Sequence, residues 1–163
     1  MTELQRLRGD HAAAVLAFEL ENRAYFAASI TDRGDDFFEH FEERHDALLD
    51  AQEAGTAAFH VLVADDGRVL GRFNLRFEGA DTAELGYRVA EDAAGRGVAT
   101  AAVQELCRLA GSRYGLRRLR AATSTDNVAS QRVLLKAGFV PAGPADPADI
   151  GGKSGSRYER TIG

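Results

Sequence analysis

One stretch, Glu84 to Thr100 (ELGYRVAEDAAGRGVAT), constrains the fold of this chain more than any other. It opens with period-two alternation, Leu85, Tyr87 and Val89 against Glu84, Gly86 and Arg88, which reads as a strand. It then crosses a short acidic turn and tightens at Gly95-Arg96-Gly97 before an alanine-rich run. A strand that delivers a glycine turn onto a helix start makes an anion cradle. The first N–H groups of a helix have no partner within it, and the helix dipole adds partial positive charge there. Glycines let the backbone adopt φ > 0 and approach an anion closely.

The flanking patterns say what this stretch is set into. Upstream, Ala57 to Ala64 alternates Phe59, Val61 and Val63 against Ala58, His60 and Leu62. Asp65-Asp66-Gly67 is a tight-hairpin signal, Val69 to Phe77 returns, and Gly79-Ala80-Asp81 turns into Thr82 to Val89. These three strands predict an antiparallel meander. Downstream, Val98 to Arg113 carries Ala99, Ala102, Val103, Leu106, Cys107 and Ala110 on one helical side, and Gly115 stops it. Leu116 to Thr123 is a strand, and a crossover of this size makes it parallel to Thr82–Val89. A helix from Asn127 to Ala137 ends at Gly138, a strand opens at Phe139-Val140, Pro141 to Gly155 reads as a loop, and Arg157 to Ile162 is a last strand.

At the other end, Leu4 to Leu7 is a short strand and Asp10 the N-cap of one helix through HAAAVLAFELENRAYF. Ile30 to Asp36 is a loop. A second helix, Phe37 to Gln52, buries the stripe Phe38, Phe41, His45 and Leu48. The expected fold class is α/β with a mixed sheet: an antiparallel meander plus one parallel β-α-β crossover, about seven strands and about four helices in one domain over residues 1–163.

Bulk properties exclude some functions. A formal net charge of −5 disfavours nucleic acid as a direct partner. The single cysteine, Cys107, allows neither an internal disulfide nor a cysteine-based zinc site, and His11, His40, His45 and His60 lack metal-ligand spacing, so no metal is expected. The N-terminal MTELQRLRGD has no apolar leader core and no long apolar run follows, so the expectation is a cytoplasmic protein with no membrane partner.

Three readings of the glycine turn compete. A P-loop requires Gly-Lys-Ser/Thr, which the chain lacks. A dinucleotide fingerprint requires Gly or Ala where Thr100 stands, and it opens a βαβ unit rather than following a meander. The third reading comes from two segments together. Ala94-Gly95-Arg96-Gly97-Val98-Ala99 resembles the Q/R-x-x-G-x-G/A acetyl-CoA signature of the GNAT N-acetyltransferase superfamily, with Ala94 in place of the usual Gln or Arg. Asn127-Val128-Ala129-Ser130, followed by Lys136-Ala137-Gly138-Phe139, is similar to the branch that contains the ribosomal-protein alanine and serine N-acetyltransferases, the RimJ/RimL-like enzymes.

The resemblance implies an acetyl-CoA-dependent transfer to a primary amine, most readily a protein or peptide N-terminal α-amino group, by direct attack in a ternary complex. Acetyl-CoA is the implied donor and no metal is implied. Small-molecule amines are the alternative acceptors, and a non-catalytic acyl-CoA sensor is the alternative of another class. The backbone of Tyr87, Arg88 and Val89 would hold the pantetheine, splayed by a bulge. The N–H groups of Gly95, Arg96, Gly97, Val98, Ala99 and Thr100 would hold the pyrophosphate. Asn127 would contact the pantetheine, and Ser130 would hydrogen-bond the sulfur, because Leu134 stands where many members carry an acidic tyrosine. Glu84 is the implied base, or else a structural partner of Arg88. Tyr25, Phe26, Asn74 and Glu84 would shape the acceptor site. The acidic chain favours a basic acceptor, and either a monomer or a homodimer is compatible.

Overall fold

The structure, a computed structural model, describes residues 2–162. Its strands are β1 (Thr2–Arg6), β2 (Ala57–Ala64), β3 (Val69–Phe77), β4 (Thr82–Val89), β5 (Arg118–Ser124), β6 (Val140–Pro144) and β7 (Gly155–Thr161). Its α-helices are α1 (Ala12–Glu21), α2 (Arg23–Ala27), α3 (Asp35–Glu39), α4 (Phe41–Glu53), α5 (Val98–Ser112) and α6 (Val128–Lys136). All strands join one seven-stranded sheet in the order β1-β2-β3-β4-β5-β7-β6. Every neighbouring pair is antiparallel except β4 and β5, which are parallel as the crossover requires. No helix among the described residues is long and apolar enough to cross a membrane.

The helix count rises above four because both N-terminal helices break. The first breaks at Asn22, whose side chain is committed to two backbone groups. Its Nδ2 donates to the Phe18 carbonyl at 2.9 Å, and its Oδ1 accepts from the Glu91 N–H at 3.0 Å. That second bond ties the end of α1 to the turn after β4. The other break is at His40, between α3 and α4. Asp10 is not the helix cap: it lies within a 3-10 turn, Gly9–His11, and α1 starts at Ala12. The Pro141–Gly155 segment is also more ordered than a loop, since its first residues form β6. That strand is the sheet's edge, where Pro141 and Pro144 leave no ladder donor missing from a central position.

The sheet has a core on each face. Phe73, Leu75, Leu85, Leu106, Leu119, Leu134 and Phe139 fill the face covered by α5 and α6, and the thiol of Cys107 is buried among them. Val15, Phe18, Phe26, Phe37, Phe41 and Val61 fill the face covered by α1 to α4. The alternation in β4 divides between these faces. Tyr87 packs against the first core and stacks on Phe73 at 5.7 Å, whereas Arg88 points to the second and lies 5.1 Å over the Phe26 ring.

Candidate active site

The parallel pairing of β4 and β5 covers only Thr82↔Arg118, Ala83↔Leu119 and Glu84↔Arg120. Beyond Glu84, β4 runs on to Val89 and β5 to Ser124 with no ladder between them. The β4 backbone that faces this gap therefore offers unmet donors and acceptors, as an added extended chain requires. No bulge causes the divergence: the β3–β4 register is unbroken from Gly71↔Val89 to Phe77↔Ala83. Two adjoining cavities fill the gap. One, of about 420 Å³, is lined by Leu85 to Arg88, Ala121 to Ser124 and the Asp149–Gly151 turn. The other, of about 140 Å³, is lined by Tyr25, Phe26, Val89, Gly95, Ala99 and Val133. Tyr87, Arg88, Asn127 and Ser130 line both.

At the Val89 end the chain makes the turn the glycines anticipate. Gly95 and Gly97 have φ of 76° and 74°, and a β-carbon placed on either would meet nothing within 4 Å. Gly97 is the N-cap of α5, and the first turn of that helix carries no acidic residue. Its leading N–H groups thus face an open concavity with no side chain capping them, a cradle that fits a pyrophosphate.

At the other end, the Tyr87 hydroxyl lies 2.9 Å from Ser130 Oγ and donates to the Ser130 carbonyl at 3.2 Å. Burial pushes the phenol up to about 12, and its bond to Ser130 only partly opposes this. Tyr87 is therefore a neutral O–H at physiological pH. Asn127 caps α6, its Oδ1 accepting from the Ser130 N–H at 3.2 Å. That bond fixes where Ser130 sits. Leu134 is buried on the same helix and lines the larger cavity.

Glu84 stands apart from these hydroxyls and lines neither cavity. Its carboxylate pairs with Arg76 at 3.4 Å across the strands, not with Arg88. Burial and a hydrogen bond with Glu78 raise its pKa above the usual carboxylate value, against the pull of Arg76. Arg88 turns instead to Glu19, 3.3 Å away, and burial lowers its pKa to about 10. Asn74 sits opposite Gly86 in the β3–β4 register and lines a third cavity, of about 270 Å³, with Arg33, Arg44, His45 and Arg72. Glu19, Arg33 and Arg72 escaped the sequence reading, as did the side-chain role of Tyr87. For Tyr87 a signal existed: it shares a strand face with Leu85, the face that α6 covers. Asp36, Glu39 and His40 bring potential ligand atoms within 4.8 Å of one another on an exposed segment, with Asp36 already paired to Arg44 at 2.9 Å.

A parallel pair opened into a slot, with an anion cradle at one end and a hydroxyl pair at the other, defines an acyl-CoA-dependent transferase. Residues 2–140 match the acetyltransferase (GNAT) domain model, and the chain belongs to that family. It is thus an acyltransferase, with acetyl-CoA as donor. It is 31% identical over 137 residues to "Probable N-acetyltransferase YjcK" of Bacillus subtilis (strain 168), covering 80% of this chain and 75% of the relative. The ribosomal-protein-S5-alanine acetyltransferase of Vibrio fischeri superposes with a TM-score of 0.89 at 20% identity, over 99% of this chain and 93% of that one. Mycobacterium smegmatis RimJ, in complex with a CoA disulfide, superposes at 0.86 and 23%, over 98% and 81%. Vibrio cholerae spermidine N-acetyltransferase, in complex with CoA and spermine, superposes at 0.79 and 15%, over 99% and 95%. At these identities the structural matches establish the fold.

Proposed function

We propose that this single-domain enzyme, acting in the cytoplasm, moves an acetyl group from acetyl-CoA to the α-amino group of a protein or peptide N-terminus, by direct attack in a ternary complex. The observation that carries this reading is the Tyr87–Ser130 hydroxyl pair at one end of a slot whose other end is the Gly95–Thr100 cradle. The β4 backbone from Tyr87 to Val89, which has no ladder to β5, is where an extended pantetheine would pair. The N–H groups of Gly95 to Thr100 neutralise the pyrophosphate, with Arg96 adding charge. With Oδ1 of Asn127 committed to the cap, its Nδ2 is the group that meets the pantetheine.

In the reaction the amine nitrogen bonds to the carbonyl carbon, the C–S bond breaks, and the sulfur leaves with the electron pair. A backbone N–H near Val89 supports the oxygen that gains charge. Ser130 Oγ donates to the departing sulfur, and the neutral phenol of Tyr87, which donates to the Ser130 carbonyl, lies 2.9 Å from that hydroxyl and holds it in place. Glu84, a carboxyl with a raised pKa that lines neither cavity, takes the amine proton through water. Tyr25 and Phe26 wall the acceptor entrance beside Val89.

Two other readings are testable in the same experiment. The spermidine-acetylating neighbour favours a small amine as acceptor, and an acyl-CoA sensor would bind the donor without turnover. Peptides with varied first residues, amino acids and polyamines are offered with acetyl-CoA, and thiol release is followed. Peptide α-amines are expected to be the best acceptors. In Ser130→Ala and Tyr87→Phe, kcat is expected to fall about 100-fold with acetyl-CoA affinity retained. Tight donor binding with no amine acetylated would sink the enzyme reading.

A further inference from the structure

We infer that the acceptor side of the cleft contains a carboxylate subsite, built by Arg33, Arg72 and Arg88 around Glu19, and that the acceptor carries a carboxylate within about two residues of its amine. The inference deepens the acetyltransferase reading and rests on it.

Glu19 is 1% exposed and sits among three guanidinium groups. Arg72 Nη1 is 2.6 Å from Oε2, Arg33 Nε 3.0 Å from Oε1, and Arg88 Nη1 3.3 Å from Oε1. Three cations thus share one carboxylate, which leaves an excess of positive charge in a largely buried wall. The neighbouring acids are hydrogen-bonded elsewhere, although the charge of Asp32 also reaches Arg88. Asp32 takes two hydrogen bonds from Arg23, at 3.0 and 2.9 Å, and Asp36 is held by Arg44 at 2.9 Å. Unbalanced like charge in a low-dielectric site is costly unless an anion completes it.

The cavity of about 270 Å³ that Arg33 and Arg72 line has no aspartate or glutamate on its wall, whereas Arg88 lines the two cavities of the slot. It also holds unmet polar atoms. His45 is 3% exposed; its Nε2 donates to the Arg8 carbonyl at 2.9 Å, and its Nδ1 has no partner. Asn74 Oδ1, also on this wall, is likewise buried without a partner. A carboxylate meets the guanidinium groups, and an adjoining amide N–H meets an acceptor such as Asn74 Oδ1. A peptide supplies both, whereas an all-cationic polyamine supplies neither an anion nor relief of the charge.

The subsite lies where an acceptor's second residue would fall. On this face β4 presents Glu84, Gly86 and Arg88, and β3 presents their partners Arg76, Asn74 and Arg72. A β-carbon on Gly86 would meet nothing within 4 Å, so the middle of this row is open. An amine that attacks a carbonyl held near Val89 lies at the Arg88 end of this row, beside the arginine cluster. Successive residues of an extended chain advance about 3.3 Å, which brings the first or second side chain to the arginines. The negative overall charge pointed toward a basic acceptor, but this wall is locally basic.

The test compares Ser-Asp, Ser-Asn and Ser-Lys peptides, free serine and free aspartate, and spermidine, with the wild-type enzyme. The expected result is a kcat/KM for the acidic peptide about tenfold or more above the neutral one, expressed in KM, with the lysine peptide lowest. A preference for the free amino acids instead identifies the α-carboxylate as the group bound, and also supports the subsite. Arg33 is the residue to vary, because it is on a loop and its side chain is 28% exposed. Arg33→Gln should bring the acidic-to-neutral ratio close to one, and Arg33→Glu should favour the lysine peptide. Equal use of all peptides by the wild-type enzyme, or preference for lysine or spermidine, overturns the subsite while leaving acetyl transfer intact. No acetylation of any acceptor despite acetyl-CoA binding overturns the transferase reading itself.

Discussion

On the proposed donor side of the cleft the working groups are backbone: the unpaired edge of β4 beyond Glu84 and the leading N–H groups of α5. On the proposed acceptor side they are side chains, drawn from α1 (Glu19), the loop before α3 (Arg33), β3 (Arg72 and Asn74) and β4 (Arg88). The difference matters physically. A backbone site depends on φ and ψ and tolerates most side-chain changes, so the loss of the usual Gln or Arg at Ala94 does little harm. A side-chain site depends on charge balance among groups far apart in the chain, and a single neutralisation reaches all of them.

The largest expected effect of breaking this contrast is on the acceptor side. Glu19→Gln keeps the shape and removes the charge that Arg33, Arg72 and Arg88 share. Removing one partner of a buried ion cluster costs about 3–5 kcal/mol, which in a chain of this size lowers Tm by about 10 °C. The pH dependence has a definite sign. Burial pushes the Glu19 carboxyl up, but Arg33 and Arg72 more than offset this and hold it below its ordinary 4.5. Its contribution to stability is therefore full above about 4.5 and is lost as pH falls below that value. Thermal melts from pH 7 to pH 3 should show the wild-type protein converging on the Glu19→Gln variant. Parallel curves would mean that the carboxylate is not what holds the cluster.

The same contrast explains what could be read without coordinates. The glycine turn was legible because glycine is required where φ is positive, as at Gly95 and Gly97, and because strand and helix periods flank it. Asn127 and Ser130 were legible for the same reason, as a cap and its partner three residues on. The β2–β3–β4 meander and the parallel β4–β5 pair followed from connection lengths; the place of β7 between β5 and β6 did not. What stayed hidden depends on distance in sequence. The break at Asn22 comes from a bond to Glu91, and no local propensity announces it. Glu19 reads as an ordinary position in an alanine-rich helix, and Arg72 as an outward strand residue, until the fold places them 2.6 Å apart. The hydroxyl of Tyr87 meets Ser130 across more than forty residues. As a structural ion pair, the alternative to a base, Glu84 reads as a partner of Arg88 two residues on, whereas its partner Arg76 lies on the adjacent strand.

A smaller effect is expected where the donor half is disturbed through its backbone. Gly97→Val places a β-branched residue at φ 74°, with nothing within 4 Å for the first added atom to strike. The cost is conformational, about 1–2 kcal/mol. It should appear as a roughly tenfold weaker acetyl-CoA affinity by calorimetry, with the ranking of acceptors unchanged. A shift in acceptor preference would show that the two halves are coupled through α5, and the separation drawn above would fail.

The mildest effect concerns Glu84, which lines neither cavity of the slot. The Glu84 carboxyl is raised above 4.5 by burial and by Glu78, so as a base it loses function while pH falls through that elevated value. In Glu84→Gln the corresponding acid limb of the kcat/KM profile should disappear. The size of the loss depends on the acceptor. A peptide α-amine has a pKa of about 7.7–8.0, so near pH 8 roughly half is neutral without any base. The rate there should fall by about tenfold or less, and by more at pH 6 where the amine is mostly protonated. A lysine-like amine, with a pKa of about 10.4, relies on deprotonation far more, and its loss should be correspondingly larger at every pH. Comparing both acceptors in this one variant separates a base from a spectator. If neither profile changes, Glu84 is the strand partner of Arg76, and the amine gives up its proton to water before it enters the cleft.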